Sequence, residues 1–488
     1  MTLAALCLAL LGGASAAVGV SAATGAGDSA SGGAWGKARE VPGLAALNKG
    51  FAEILSVSCA SAGSCSAGGS YQDSSGEQQA FVVSQRHGFW GKAQEVPGLA
   101  ALNTGGGAEI RSVSCASAGN CSAGGVYFDG TPSSGHGQGF VVSQRHGVWG
   151  KAKEVPGLGA LNVGGDEGGF AQVWSVSCAS AGNCSAGGRY TDSSGGNRAF
   201  VVSQRHGVWD KAEKLGPPGA FIYSLSCGAA GNCSAGGSYP TSPHHVQAFV
   251  ASQEHDTWSR IRKVPGSAAL NTGSWAQISS VSCASAGNCS AGGFYSGRTG
   301  SCPTTGQTSC QAFVVSERHG SWSRAQKMRG AAALNAGGDA EVISVSCAAA
   351  GTCSAGGFYT ARSGHSQAFT VSQKHGRSWG RAERVPGIAA LAARRGAQII
   401  SVSCAAAGNC SAGGYYTNRS GRSQPFVVNE EHGTWGRAER VRGIGALNTG
   451  GTAQITSVSC AVPGRCSAVG FYTESSRPTE AFVVSQTR

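Results

Sequence analysis

Charge is scarce in this chain: Asp, Glu, Lys and Arg make up only 13% of its 488 residues, about half the usual ~25%. The net charge of +12 is therefore thin for the length. No later stretch reaches the ~18 apolar residues of a membrane span. No Gly-X-Y period is present, which excludes collagen. A Gly-x-Ser-x-Gly elbow in a strand-to-helix setting, a His-Glu-x-x-His motif and a phosphate loop are all missing, so the best-marked hydrolase, metalloprotease and nucleotide-binding classes have no footing. What abounds is glycine, 79 residues or about 16% against an ordinary ~7%. Cysteine is also plentiful, at 19 residues, which points to an oxidising compartment. Hydrophobic residues at 41% suffice for a large core and exclude wholesale disorder.

Residues 1–27 carry no charge, and no Lys or Arg precedes Lys37. A short apolar run, Leu3 to Leu11, is followed by small residues. Ala14-Ser15-Ala16 and Ser21-Ala22-Ala23 both fit a small-x-small cleavage site. Residues 1–27 thus resemble a secretory signal peptide without its basic start; an uncleaved anchor is the other reading. Cys7 lies inside the apolar run, and Leu6 is too large to precede a lipoprotein cleavage site.

The remainder, residues 34–488, is one unit repeated eight times. Cys-x5-Cys occurs at Cys59/Cys65, Cys115/Cys121, Cys178/Cys184, Cys227/Cys233, Cys283/Cys289, Cys347/Cys353, Cys404/Cys410 and Cys460/Cys466. A Trp recurs at 35, 90, 149, 209, 258, 322, 379 and 435, and a segment like Ala80-Phe-Val-Val-Ser-Gln85 recurs in step with it. Each unit reads as four short strands, for example Ile110–Cys115, Cys121–Tyr127, Phe140–Gln144 and Trp149–Val155, separated by Gly-, Ser- and Asn-rich turns. Four strands in about 57 residues suit a propeller blade. The expected fold is all-β, a single eight-bladed β-propeller with four strands per blade; a β-solenoid is the alternative. Trp35 to Val41 is a fourth strand without a blade, and Phe482 to Gln486 is a third strand without a successor. Joining them closes the last blade with the N-terminal strand and removes an open sheet edge.

The third strand, its turn and the Trp resemble the Asp-box (BNR) hairpin of sialidase-like and photosystem-assembly-factor-like propellers. Ser372-Gln-Lys-His-Gly-Arg-Ser-Trp379 matches the length of Ser-x-Asp-x-Gly-x-Ser/Thr-Trp, with Lys374 where that motif has Asp. Other copies are one residue shorter, and the Asp is absent from all eight. The Ser-Val-Ser-Cys and Cys-Ser-Ala-Gly-Gly strings also resemble secreted actinobacterial repeat proteins. These resemblances imply a propeller and carry over no activity.

Cys-x5-Cys joins the end of the first strand to the start of the second, so the expectation is one disulfide per unit across that turn, each worth roughly 2 kcal/mol for a seven-residue loop. Zinc prefers Cys-x2–4-Cys with a second pair nearby, and no metal or cofactor is expected. Cys302 and Cys310, in a longer loop of the fifth unit, form the expected ninth bridge.

Seven units place a His in the same turn: His87, His146, His206, His255, His319, His375 and His432. They read either as a ring of ligand-binding side chains or as polar residues that the turn favours before Gly. The repeated Trp reads either as a sugar platform or as packing between blades. Trp174 and Trp275 are extra, assigned to loops before the first strand, and are the better binding candidates because they break the repeat. The repeated acids Glu40, Glu95, Glu154, Glu383 and Glu439 read as solvated partners of edge-strand Lys and Arg. No catalytic set stands out.

Basic residues are spread around every unit, so no nucleic-acid partner is expected; glycans or anionic wall polymers are. The leading expectation is a secreted or cell-surface, monomeric, non-catalytic module that binds such polymers multivalently. The alternatives are a glycoside hydrolase or lyase on a sialidase-like propeller, and a protein-interaction scaffold. Symmetry separates them, since a binder uses equivalent sites and an enzyme uses one irregular cleft.

Overall fold

A computed structural model describes residues 33–130, 136–164, 168–297, 310–373, 378–393, 395–475 and 479–487. The expected signal segment, Cys302 and His375 lie outside these residues.

Eight antiparallel sheets follow one another along the chain as the blades of a β-propeller. In blade 1 the strands are Ala52–Ser61, Ser64–Gln72 and Gln78–Arg86, and the fourth is a pair of fragments, Phe89–Trp90 and Gln94–Glu95. Blades 2 to 8 begin at Ala108, Gln172, Phe221, Ala276, Ala340, Ala397 and Ala453. The eighth blade is completed by the N-terminal strand, with Trp35 opposite Gln486 and Glu40 opposite Phe482.

The third strand is buried on both faces, as its unalternating Phe-Val-Val required: Phe81, Val82 and Val83 are at most 1% exposed. The fourth strand is shorter than Trp149–Val155 suggested. It breaks into Val148–Trp149 and Lys153–Glu154. Between the fragments the Ala152 N–H leaves its own sheet and donates to the Pro97 carbonyl of the preceding blade at 2.8 Å. Ala93, Ala212, Ala325 and Ala438 do the same to Pro42, Pro156, Pro265 and Pro386. The interruption thus exchanges ladder bonds within a blade for bonds between blades. Among the described residues, one-turn helices, unforeseen in the sequence, occupy five of the connections, for example Leu44–Leu47 and Ala331–Leu334.

The Ser-x-Ser-Cys string joins the blades at the axis. The Ser56 and Ser58 hydroxyls accept from the backbone N–H groups of Val113 and Cys115 in blade 2, both at 2.9 Å. Each later blade repeats the two bonds, up to Ser457 and Ser459, which accept from Val57 and Cys59. The ladder of inner strands is therefore circular, with a channel at its centre, and two N–H groups per blade that strand pairing leaves free find a hydroxyl.

The Ser-Gln end of the third strand forms a second circular staple. Gln144 donates through Nε2 to Ser84 at 2.9 Å, and its Oε1 accepts from Ser66 at 3.2 Å, both in the preceding blade. Two blades carry a carboxylate here instead. Glu317 accepts from Ser234 and Ser252 at 2.9 and 2.8 Å, and Glu430 accepts from Ser354 and Ser372 at 2.7 and 2.6 Å.

All eight expected Cys-x5-Cys pairs are disulfides, with Cα–Cα distances of 3.9–4.0 Å. Their placement corrects the expected one. The cysteines do not mark the ends of the strands; they face each other inside the ladder as Cys59–Cys65, Cys115–Cys121, Cys178–Cys184, Cys227–Cys233, Cys283–Cys289, Cys347–Cys353, Cys404–Cys410 and Cys460–Cys466. The strands run on because the turn needs only two residues. Gly63 takes φ of 72°, so Ser61 and Ser64 still pair beyond the bridge.

The two halves of each bridge also differ in surroundings. The second half is buried throughout: Cys65, Cys121, Cys184, Cys233, Cys289, Cys353, Cys410 and Cys466 are 3–5% exposed. Its sulfur packs on a serine hydroxyl of the preceding blade. Cys184 lies 3.5 Å from Ser122, Cys233 3.4 Å from Ser185, and Cys289 3.4 Å from Ser234. Cys353 lies 3.4 Å from Ser290, and Cys466 3.3 Å from Ser411. These bridges therefore belong to the seam between blades as well as to their own hairpin. Cys310 is also a half-cystine.

Candidate functional site

Most repeated side chains are occupied by the architecture. The Trp149 indole is 5% exposed and donates to Ser84 of the previous blade at 3.4 Å. Trp322, Trp379 and Trp435 bond Ser252, Ser316 and Ser372 likewise. The repeated Glu also has an inward partner, because Glu95 accepts from the Tyr71 phenol at 3.3 Å. Burial and then the Glu95 charge push the Tyr71 phenol up. Glu40, Glu154, Glu383 and Glu439 are exposed, as expected of solvated acids, and the half-buried Glu95 is the one that departs from that reading.

The histidines sit at the tip of the third hairpin. His87, His146, His206, His255, His319 and His432 are all exposed, with φ of 47–50°. A positive-φ residue followed by Gly88 or its equivalent makes a type I′ turn, and His tolerates that left-handed backbone better than most residues. The turns at His87, His146 and His432 border crevices between blades. One of about 260 Å³ is lined by Arg86, His87 and His146; an equivalent one of about 320 Å³ is lined by Gln373, Glu430 and His432. Beside the latter, the Sγ atoms of Cys404 and Cys410 and the Glu430 carboxylate lie within 4.8 Å of one another. Those sulfurs are bonded to each other and are not available as thiolate ligands.

The blades differ from one another along the channel. Every inner strand carries a β-bulge one residue before the Ser-x-Ser-Cys string, leaving that residue unpaired. In chain order the bulged residues are Leu55, Arg111, Trp174, Tyr223, Ser279, Ile343, Ile400 and Thr456. The position two residues earlier also varies: Glu53, Glu109, Gln172, Phe221, Gln277, Glu341, Gln398 and Gln454. Bulges commonly re-aim a side chain at a functional site.

On blades 2 to 4 these positions meet. The Arg111 guanidinium lies 4.9 Å from the Trp174 ring. Trp174 packs edge-on to Phe221 and Tyr223 at 5.5 and 6.2 Å, and those two rings stack at 4.4 Å. Arg189, opposite Gln172 on the second strand, lies 4.7 Å from the Phe170 ring and 5.1 Å from Phe221. Glu109 pairs with Arg111. Burial, and then the Glu109 charge, raise the Glu53 carboxyl. Farther round, Glu341 accepts from Ser279 at 2.8 Å, and burial pushes it from 4.5 up to about 7.

Because the folded-state value is raised, native protein holds the Glu341 proton more tightly between pH 4.5 and 7, and stability falls as pH rises through that window. Glu341→Gln is therefore expected to match the wild type at about pH 4.5 and to exceed it at about pH 8. Urea denaturation at both values checks this; equal differences at both would refute it.

Trp174 was expected in a loop and instead lies inside the inner strand Gln172–Ser180. Trp275 does lie in the preceding loop, half-buried beside Phe294 and Cys310. Arg111, Arg189, Phe221 and Tyr223 were missed, although aligning the eight inner strands column by column exposes the bulged position as the one that varies.

No family model and no curated protein matches this sequence. Among solved structures, similar ones include the Trypanosoma rangeli sialidase in complex with sialic acid, at 8% identity and a TM-score of 0.40, covering 90% of this chain and 55% of that one. This chain thus spans about half the sialidase's length. Sqt1 from Chaetomium thermophilum follows at 9% identity and 0.49, covering 93% and 100%. The β-propeller domain of the Trilobed protease from Pyrococcus furiosus gives 8% and 0.41, covering 77% and 94%. At such identities and scores the likeness is one of propeller fold and assigns no ligand.

Proposed function

We propose that the protein is an exported, non-catalytic binding propeller for glycans or cell-envelope polymers, taking its ligand where Trp174, Phe221 and Tyr223 gather beside the channel. The observation that carries this reading is the concentration of aromatic and guanidinium groups at the bulged positions of blades 2 to 4, the part of an otherwise repeated channel wall that departs most from its neighbours. Aromatic faces suit the apolar faces of sugar rings, and Arg and Glu supply polar contacts around them. The disulfides fit an oxidising location, and no helix among the described residues is long and apolar enough to cross a membrane. The equivalent crevices beside His87, His146 and His432 offer weaker, repeated contacts, which would let a polymer gain avidity.

Titration of the oxidised protein with a panel of glycans and envelope polymers, at low and high salt, tests this. Trp174→Ala is expected to weaken binding by about tenfold, the loss of one aromatic contact. Failure of every polymer to bind refutes the proposal. The enzyme reading gains one specific observation, the electrostatically coupled Glu53 and Glu109 carboxylates, the first of them raised. Release of reducing ends that disappears in both Glu53→Gln and Glu109→Gln would favour it.

A further inference from the structure

We infer that the channel site contains a receptor for an oxyanion, a carboxylate or a phosphate, built from Arg189, Gln172 and Arg111. This rests on the binding reading above and gives its ligand a charge.

Three buried donors in this arc have no hydrogen-bond partner: Arg189 Nε, Gln172 Nε2 and Arg111 Nε. Gln172 is only 2% exposed, so its amide hydrogens have little access to bulk water. A buried donor left unmade costs about 1–3 kcal/mol, and such orphans are uncommon in folded proteins. Here they stand on one cross-strand pair, Gln172 opposite Arg189, and on the neighbouring blade.

Their chemistry is one-sided. Arginine and the glutamine amide nitrogen donate and do not accept. Arg111 is paired with Glu109. Arg189 has no carboxylate partner among the described residues, and its guanidinium carbon lies over the rings of Phe170 and Phe221. Burial, with the Arg111 charge adding to it, holds the Arg189 guanidinium below its usual value. A cation so placed is stabilised by an arriving anion. A carboxylate or phosphate would accept from Arg189 and Gln172 together, and charge-assisted bonds of this kind are the strong ones. The stacked Phe221 and Tyr223 would then border the body of the ligand.

The test uses the full chain and four polymers: polygalacturonate, its methyl ester, a polyglycerol-phosphate teichoic acid and a neutral β-glucan. Inorganic phosphate and acetate serve as minimal anions in thermal-shift titrations. Arg189→Met keeps the aliphatic stem and removes the donors; Arg324→Gln, at an exposed rim position, removes one charge elsewhere. The expected result is that an acidic polymer binds at least about tenfold tighter than its neutral counterpart. That preference should disappear in Arg189→Met and persist in Arg324→Gln. Preference for polygalacturonate identifies a carboxylate source, and preference for the teichoic acid a phosphate one. Equal binding of acid and ester, lost in Trp174→Ala, overturns the oxyanion receptor while leaving the glycan reading intact. Stabilisation by phosphate or acetate that requires Arg189, with no polymer bound, upholds the receptor and overturns the glycan reading. If Arg189→Met fails to fold, Gln172→Leu carries the same comparison. Acid preference that survives in the substituted protein overturns the receptor.

Discussion

Excising residues 33–41 is expected to lower stability by about 5 kcal/mol or more, placing it among the exceptional effects of small changes. The segment supplies the outer strand of blade 8. Trp35 and Val41 are 4% and 3% exposed, and burying side chains of this kind contributes roughly 1.5–3 kcal/mol each. The Ala38 N–H bond to the Arg442 carbonyl at 2.7 Å and the Trp35 indole bond to Asn429 at 3.1 Å are lost with them. The damage extends beyond these contacts, because Thr479–Thr487 would then present an unpaired apolar edge to solvent. Such edges recruit other chains. The truncated protein should melt at lower temperature in calorimetry and show concentration-dependent association in light scattering. A monomer with an unchanged melting temperature would mean that the circular Ser ladder at the axis closes the ring unaided.

This closure was legible in the sequence because it follows from counting. Eight Trp, eight third strands and an unmatched piece at each end leave one arrangement. The alternation of buried and half-buried residues then matched the strands well, since the inner strands keep their hydrophobic period on either side of the bulge. The fourth strand was overestimated because its composition, Trp-Gly-Lys-Ala-Lys-Glu-Val, suits an edge strand; nothing local says that Ala152 bonds the preceding blade. The cysteine pairs were legible as bridges but not as part of the seam, because the serine that each buried sulfur meets belongs to another blade.

The candidate site was less legible for a related reason. Repeats make what recurs conspicuous, and here the recurring Trp and His occupy an interblade seam and a type I′ turn. Trp174 stands out because it interrupts the pattern, but its partners do not. Arg111 and Tyr223 differ from Leu55 and Ser279 only as one residue in a varied column, and Arg189 faces Phe221 only once blades 3 and 4 are packed side by side. Contact across a blade boundary is not written in the spacing of either blade.

The bulge that exposes this column makes a second demand, and with it a sharp contrast between two adjacent glycines. In Ala123-Gly124-Gly125 of blade 2, a Cβ on Gly125 would lie 1.8 Å from the backbone carbonyl oxygen of Glu109, because the bulged inner strand swings that carbonyl toward it. A Cβ on Gly124 would instead meet the Val173 side chain of the next blade, at 2.6 Å. Side chains yield and carbonyl oxygens held in a ladder do not. The eighth blade bears this out: Val469 stands at the first position, fully buried, and Gly470 remains at the second, where a Cβ would lie 1.9 Å from the Gln454 oxygen. Gly125→Ala is therefore expected to destabilise by more than about 3 kcal/mol, either through steric conflict or by forcing the bulge out of register. Gly124→Ala, which meets side chains rather than a carbonyl held in the ladder, should cost about half as much or less. Because Arg111 sits on that bulge, any Gly125→Ala protein that folds should also bind its ligand more weakly than Gly124→Ala does. Denaturant midpoints and a binding titration on the two variants decide this. Equal destabilisation would show that the inner strand can move its carbonyl, and that the bulged column is less rigidly presented than a preorganised site requires.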